Sequence, residues 1–220
     1  MKKKQKKDKK LRPAPVNSQL PISKIRKIAL TGPRYYLQRA REYPILGCWV
    51  YADWKDRGIA PVVVAREQSP DKVIFCVCMI DLYCLGIKDC YANANFSLSK
   101  FERELPRMCA EKPEKCSVEF AHELIYGAMD YAKKHGFDPH PDFTNQMVNI
   151  VLDPPDAHSR TQNIEFGKDG KPLYVSGPYD DERRINRILN TLAKTTGEGN
   201  FDYLIGLGGP GFDDDFEESG

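Results

Sequence analysis

The chain has 220 residues with 41% apolar and 10% aromatic content, an ordinary globular composition at a length that buries roughly 70% of its unfolded surface without staples, and no run approaches the roughly 20 apolar residues of a membrane span. Net charge is only +2, but residues 1–41 hold fourteen Lys/Arg against one acid, Asp8, which leaves 19 basic and 30 acidic groups for the other 179 residues. A +13 segment is therefore joined to a −11 remainder whose last residues include Asp213, Asp214, Asp215, Glu217 and Glu218, and such asymmetry points to a polyanionic partner rather than to a fold.

Residues 1–21 carry most of this basic charge and too little apolar surface to offset ordering, so a disordered basic arm is expected there. The start K-K-K-Q-K-K-D-K-K is followed by no apolar h-region. With seven cysteines, an odd number, the expectation is reduced thiols in a cytoplasmic protein. Ile22, Ile25, Ile28 and Ala29 recur at helical spacing over Ser23–Leu30. Thr31-Gly32-Pro33 ends that helix and starts another over 33–43, with Tyr36, Leu37 and Ala40 inward and Arg34, Arg39 and Arg41 outward.

Ala60–Arg66 and Val73–Leu82 read as strands joined by the turn residues Gln68-Ser69-Pro70-Asp71, an antiparallel hairpin that an earlier strand at Leu46–Tyr51 can join. Cys76, Cys78 and Ile80 alternate with Val77, Met79 and Asp81, so both faces of the second strand are expected to be covered. Gly86 is read as the break after that strand, and Asn93-Ala94-Asn95 as loop. A helix is expected over Leu98–Ala110. A stronger one spans 118–134, where Val118, Ala121, Ile125, Ala128, Met129 and Ala132 form one stripe ending at Gly136. Pro141–Leu152 predicts a shorter helix. Ile164–Phe166 and Leu173–Val175 flank Lys168-Asp169-Gly170, a second hairpin signal. Residues 180–194 predict a helix with Ile185, Ile188, Leu189 and Leu192 inward, and Phe201–Ile205 a last strand. Strands and helices come in blocks, so the class is α+β: an antiparallel sheet built from hairpins with helices packed on it. The expected organisation is a basic arm over 1–21, one α+β domain over 22–206 and a flexible acidic tail over 207–220.

Familiar catalytic strings fail on context. The spacing Cys76-x-Cys78-x5-Cys84-x5-Cys90 lacks the paired C-x2-C of zinc ribbons, and nothing in the spacing joins Cys109 and Cys116 to it. His122-Glu123-x-x-Tyr126 puts tyrosine where a zincin needs its second histidine. Glu119-x-x-His122 has no second copy to complete a di-iron bundle. Gly206-x-Gly208-x-x-Gly211 contains Pro210 and is followed by acids instead of a helix facing a pyrophosphate. Gly167-Lys168-Asp169-Gly170-Lys171 is too short for a phosphate loop, and no G-x-S-x-G elbow exists. His135 to Asp142 holds two histidines and two carboxylates, a set able to bind a divalent ion, but its two prolines favour a rigid connector capped by Asp142.

Three stretches, D-L-Y-C-L-G-I-K-D-C (81–90), H-G-F-D-P-H-P-D-F (135–143) and F-G-K-D-G-K-P-L-Y-V-S-G-P-Y-D (166–180), are similar to a family of uncharacterised bacterial proteins. The resemblance covers about residues 30–205. It implies one domain and a bacterial cytosolic origin, and it brings no catalytic residue.

The leading expectation is a non-enzymatic interaction protein that associates with RNA, DNA or a ribonucleoprotein. The binding residues are expected to be Lys2, Lys3, Lys4, Lys6, Lys7, Lys9, Lys10, Arg12, Lys24, Arg26, Lys27 and Arg34, in a segment that also carries Tyr35 and Tyr36, and affinity is expected to fall with salt. No membrane partner, cofactor or resident metal is expected. The alternative is a metal-dependent nuclease or other phosphoesterase, with Asp81, Asp89, Glu119 and Glu123 as carboxylates holding the ion and His122 assisting proton transfer.

Overall fold

The computed structural model describes residues 32–206. The basic arm, the helix expected over Ser23–Leu30 and the acidic tail lie outside the described residues. In chain order the elements are α1 (Pro33–Gln38), a 3-10 turn (Ala40–Glu42), β1 (Ile45–Tyr51), α2 (Trp54–Arg57), β2 (Ile59–Ser69), β3 (Lys72–Asp81) and β4 (Gly86–Ser97). There follow α3 (Leu98–Met108), β5 (Pro113–Cys116), α4 (Val118–Lys134), α5 (Asp142–Asn145), α6 (Val148–Val151), β6 (Leu173–Val175), α7 (Glu182–Thr196) and β7 (Asp202–Leu204).

Five strands form one sheet in the order β4-β3-β2-β1-β5, every neighbouring pair antiparallel. Alternation of side chains decides what each face meets. Val62, Val64, Cys76, Cys78 and Ile80 pack against Ala121, Leu124, Ile125 and Ala128 of α4 and Val148 and Val151 of α6. On the opposite face Val63, Ala65, Phe75 and Val77 pack against Phe101 of α3. The β3 segment expected to be covered on both sides is so covered, and each of its large apolar side chains contributes about 1.5–3 kcal/mol by burial. The protein is α+β. No helix among the described residues is long and apolar enough to cross a membrane.

Local chemistry explains the helix ends. Ser117 Oγ accepts the Phe120 N–H at 3.1 Å and caps α4, satisfying a donor the helix leaves unpaired. At the other end Gly136 adopts φ +86, and the Phe137 N–H returns to the Ala132 carbonyl at 3.0 Å, a helix stop that favours glycine. Asp181 caps α7 by accepting the Arg184 N–H at 2.7 Å.

Four expectations are corrected. Asn93–Asn95 belong to β4 rather than to a loop: the pairing shifts between Val73 and Phe75, and Asn95 sits at φ +57 with its N–H on Gln68 Oε1. This is a bulge, where asparagine is tolerated inside a strand. Gly86 does not end a strand but begins β4 opposite Asp81. The helix expected over 141–152 is split into α5 and α6 at Met147, φ +60. The turn of the second hairpin forms, with Lys168 bridged to Lys171, but β6 pairs in parallel with β7 instead of with 164–166. The strand β5 carries no sequence signal, because its Pro113, Glu114 and Lys115 suit a sheet edge better than a core strand.

Candidate functional site

The polar residues of 81–90 are organised by Asp81. It lies at the end of β3 opposite Gly86 and is 5% exposed. Its Oδ1 accepts the N–H groups of Tyr83 at 2.9 Å and Cys84 at 3.0 Å. Burial pushes its carboxyl above the usual range, opposed by Lys88 and by the backbone donors. Asp81 thus closes the turn 82–85 as a side-chain mimic of a backbone turn.

Three polar stretches meet at that turn. The Gly167 N–H donates to the Leu82 carbonyl at 2.9 Å, Leu173 to Tyr83 at 3.1 Å and His140 to Ile87 at 3.1 Å. Residues 81–90, 135–143 and 166–180, dispersed in the chain, are adjacent in space. Beneath them Cys84, Leu85, Tyr174, Ile188 and Leu192 form a small apolar cluster that fixes α7 to the turn.

The turn separates two clefts. On one side Leu82 and Tyr83, with Trp54, Phe120 and the 162–169 loop, line a cavity of about 360 Å³. Lys55 and Lys168 stand at its aromatic walls, 5.3 Å from the Trp54 ring and 5.9 Å from the Tyr83 ring, but Glu165 and Asp169 share the rim. Neither sign of charge prevails there. On the other side Leu85, Lys88, His140, Asp138, Asp181, Arg184 and Arg187 line a broader cleft of about 740 Å³, with Tyr179 at its edge. Asp180 braces that cleft: it accepts the Tyr174 hydroxyl at 2.9 Å and the Gly177 N–H at 2.8 Å, and pairs with Arg184 at 2.8 Å. Burial alone raises the Asp180 carboxyl, yet these partners together hold it below its usual range.

At the floor of the second cleft the pairing of β3 with β4 shifts between Met79 and Ile80, so that Lys88 is an extra residue in β4. A bulge of this kind re-aims the side chains beside it. Asp89, His140 and Asp142 each bring one ligand atom to a group in which all lie within 4.8 Å of one another. It is the only such group of three His, Cys, Asp or Glu side chains among the described residues, and it contains no cysteine.

The five phosphoesterase candidates do not converge on that group, which holds Asp89 alone. Asp81 is occupied by the turn. Glu119 is exposed in the first turn of α4, held below its usual range by the helix N–H and the Ser117 hydroxyl. Glu123 Oε2 accepts the Gln162 N–H at 2.8 Å. His122 lies 2.7 Å from the Pro154 carbonyl through Nε2, and its buried Nδ1 has no partner among the described residues. Because a carbonyl only accepts, Nε2 carries the proton. Glu123 and His122 therefore fasten the 153–162 loop to α4.

Of the residues expected to bind nucleic acid, Arg34 alone is described, and it is exposed on α1. Arg39 pairs with Glu42 at 3.2 Å. Arg41 turns back to donate to the Leu152 carbonyl at 2.8 Å and the Asn149 carbonyl at 2.7 Å. Tyr36 packs on the core, and Tyr35 accepts from Arg39. Lys2 to Lys27 lie outside the described residues. Sequence reasoning named Asp89 as a metal-holding carboxylate and, separately, His140 with Asp142, but did not join them, since Asp89 meets the pair only through the course of β4.

Comparison with protein-family models, with curated proteins and with solved structures gives no match.

Proposed function

We propose that the chain is a non-enzymatic interaction protein that associates with nucleic acid or a nucleoprotein partner in the cytoplasm, through its basic residues 2–34. The observation that carries this reading is the fourteen-to-one excess of cations over acids in residues 1–41, set against an excess of eleven acids in the rest. Cations that neutralise phosphates release condensed counterions, which is the main source of sequence-independent affinity. The acidic remainder repels a polyanion and so concentrates contact on the basic segment. Arg39 and Arg41 are engaged within the fold, so the binding is assigned to the other twelve cations. The test compares the full chain with a variant lacking residues 2–12, on a heparin column and with single-stranded RNA. Collapse of retention and of RNA binding supports the reading, and unchanged salt-dependent retention overturns it.

A further inference from the structure

We infer that Asp89, His140 and Asp142 form a binding site for a divalent transition-metal ion, Mn²⁺ to Zn²⁺ in class, where β4 meets the 135–143 connector.

The site is assembled from two parts of the chain fifty residues apart, and each part is held independently of the ligand atoms. Asp89 follows the bulge residue Lys88 on an edge strand, and it is exposed. His140 stands between Pro139 and Pro141 and is tied to β4 by its own N–H on the Ile87 carbonyl at 3.1 Å. Asp142 opens α5, which brings it one residue beyond Pro141. Two fixed prolines and a strand contact leave few backbone rotations to freeze on binding, which lowers the entropic opposition to an ion.

The donor set selects the ion. Two carboxylates and one imidazole offer two hard oxygens and one nitrogen. Ca²⁺ requires six to eight oxygens, and soft thiolate-loving ions have no cysteine here. Mn²⁺, Fe²⁺ and Zn²⁺ accept this combination. His140 Nδ1 is 3.9 Å from Asp142 Oδ2 and 3.3 Å from the Asp142 N–H, so the ring is steered by long contacts and committed to no strong hydrogen bond. Asp142 Oδ2 accepts from Gln146 at 3.0 Å, an outer contact of the kind that orients ligating carboxylates. The nearest cation in sequence, Lys88, acts on Asp81 and Asp180.

Three protein ligands leave coordination positions for water or a further ligand. His140 also lines the 740 Å³ cleft, where the Arg187 guanidinium makes no hydrogen bond or ion pair among the described residues. None of these residues lies within 1–41, so the site stands or falls independently of polyanion binding by that segment.

The test uses the full chain and Mn²⁺ alone, followed by the electron-paramagnetic-resonance signal of free Mn²⁺ and by thermal melts. The expected result is one saturable equivalent and a melting point that rises with Mn²⁺. Asp89→Asn and His140→Ala should each weaken binding about tenfold or more, the scale set by lost metal-site contacts, while Asp138→Asn, in the same cleft but outside the group, should not. Absence of saturable binding at millimolar Mn²⁺ overturns the inference. So does binding that persists in both ligand variants while circular dichroism shows them folded.

Discussion

Arg66 and Asp153, 87 residues apart, form an ion pair of 2.6 Å between Nη2 and Oδ1. Arg66 is 3% exposed, and it also donates to the Val151 carbonyl at 2.7 Å and the Tyr43 carbonyl at 2.9 Å. One guanidinium therefore joins β2, the segment after α1 and the end of α6. Arg66→Ala should destabilise by about 3–5 kcal/mol, the range for breaking a buried pair. Asp153→Asn should cost less, because Asp153 is partly solvated and two carbonyls still receive Arg66. Urea unfolding of the two variants at pH 7 checks the order, and an equal loss in both contradicts it.

The loop that Asp153 begins links stability to pH. Burial lowers the His122 pKa below its ordinary 6.5, against the raising effect of the Pro154 carbonyl, and burial followed by Lys134 lowers that of His135. The fold then prefers both rings neutral, so their contribution is complete above about pH 6.5 and is lost as pH falls below it. Asp153 follows at lower pH. Burial raises its carboxyl, but His158 and Arg66 outweigh that and hold it below 3.8, so its contribution is present above about 3.8 and is lost as pH falls through the depressed value. Stability should fall from pH 7.5 to pH 5.5, and by less in His122→Gln. A rise over that interval, measured by urea unfolding, contradicts the assignment.

Asp81 is placed as the organiser of a turn, and its substitutions separate geometry from charge. One oxygen, Oδ1, accepts both N–H groups, and asparagine supplies an oxygen in the same place. Asp81→Asn should change stability by roughly 1 kcal/mol, about one hydrogen bond's net contribution. Asp81→Ala leaves two donors without an acceptor and should cost about 1–3 kcal/mol for each. Thermal melts distinguish the two, and an equal effect of both substitutions rules out the turn-closing role.

Cys76 and Cys78 are 1% and 0% exposed. A serine hydroxyl in either place should cost about 1–3 kcal/mol for lack of a partner. In the native protein six of the seven thiols are buried, and Cys116 is the partial exception. Burial, followed by Glu114, pushes its pKa up to about 12, so thiolate is scarce even there. Thiol titration at pH 8 should be slow without denaturant and should reach Cys116 first. Rapid modification of Cys76 and Cys78 contradicts the two-sided cover of β3.

The periodic parts of this fold are legible in the sequence. The stripe of α4, the inward face of α7 and the β2–β3 hairpin follow from spacing alone, since each buries one regular face. The bulged β4 and the polar edge strand β5 do not, because their residues obey local backbone needs and exposure instead of a core pattern. The same distinction governs the site. Asp81 is readable as a residue at a strand exit, but its acceptance of two turn N–H groups is tertiary detail. Asp89, His140 and Asp142 become neighbours only once β4 lies beside the 135–143 connector, a register no spacing rule supplies. Arg66 read as the end of a strand, and nothing nearby in sequence announces Asp153.

The central claim is that the cations of residues 2–34 hold a polyanion by neutralising phosphates. Its most direct test is the salt dependence of single-stranded RNA binding by the full chain and by the variant lacking residues 2–12, which removes eight cations and one acid. Each phosphate contact on a single strand contributes about −0.7 to the slope of log affinity against log salt. The account predicts a steep slope for the full chain and a slope several units shallower for the variant. An unchanged slope and affinity after the deletion would contradict it.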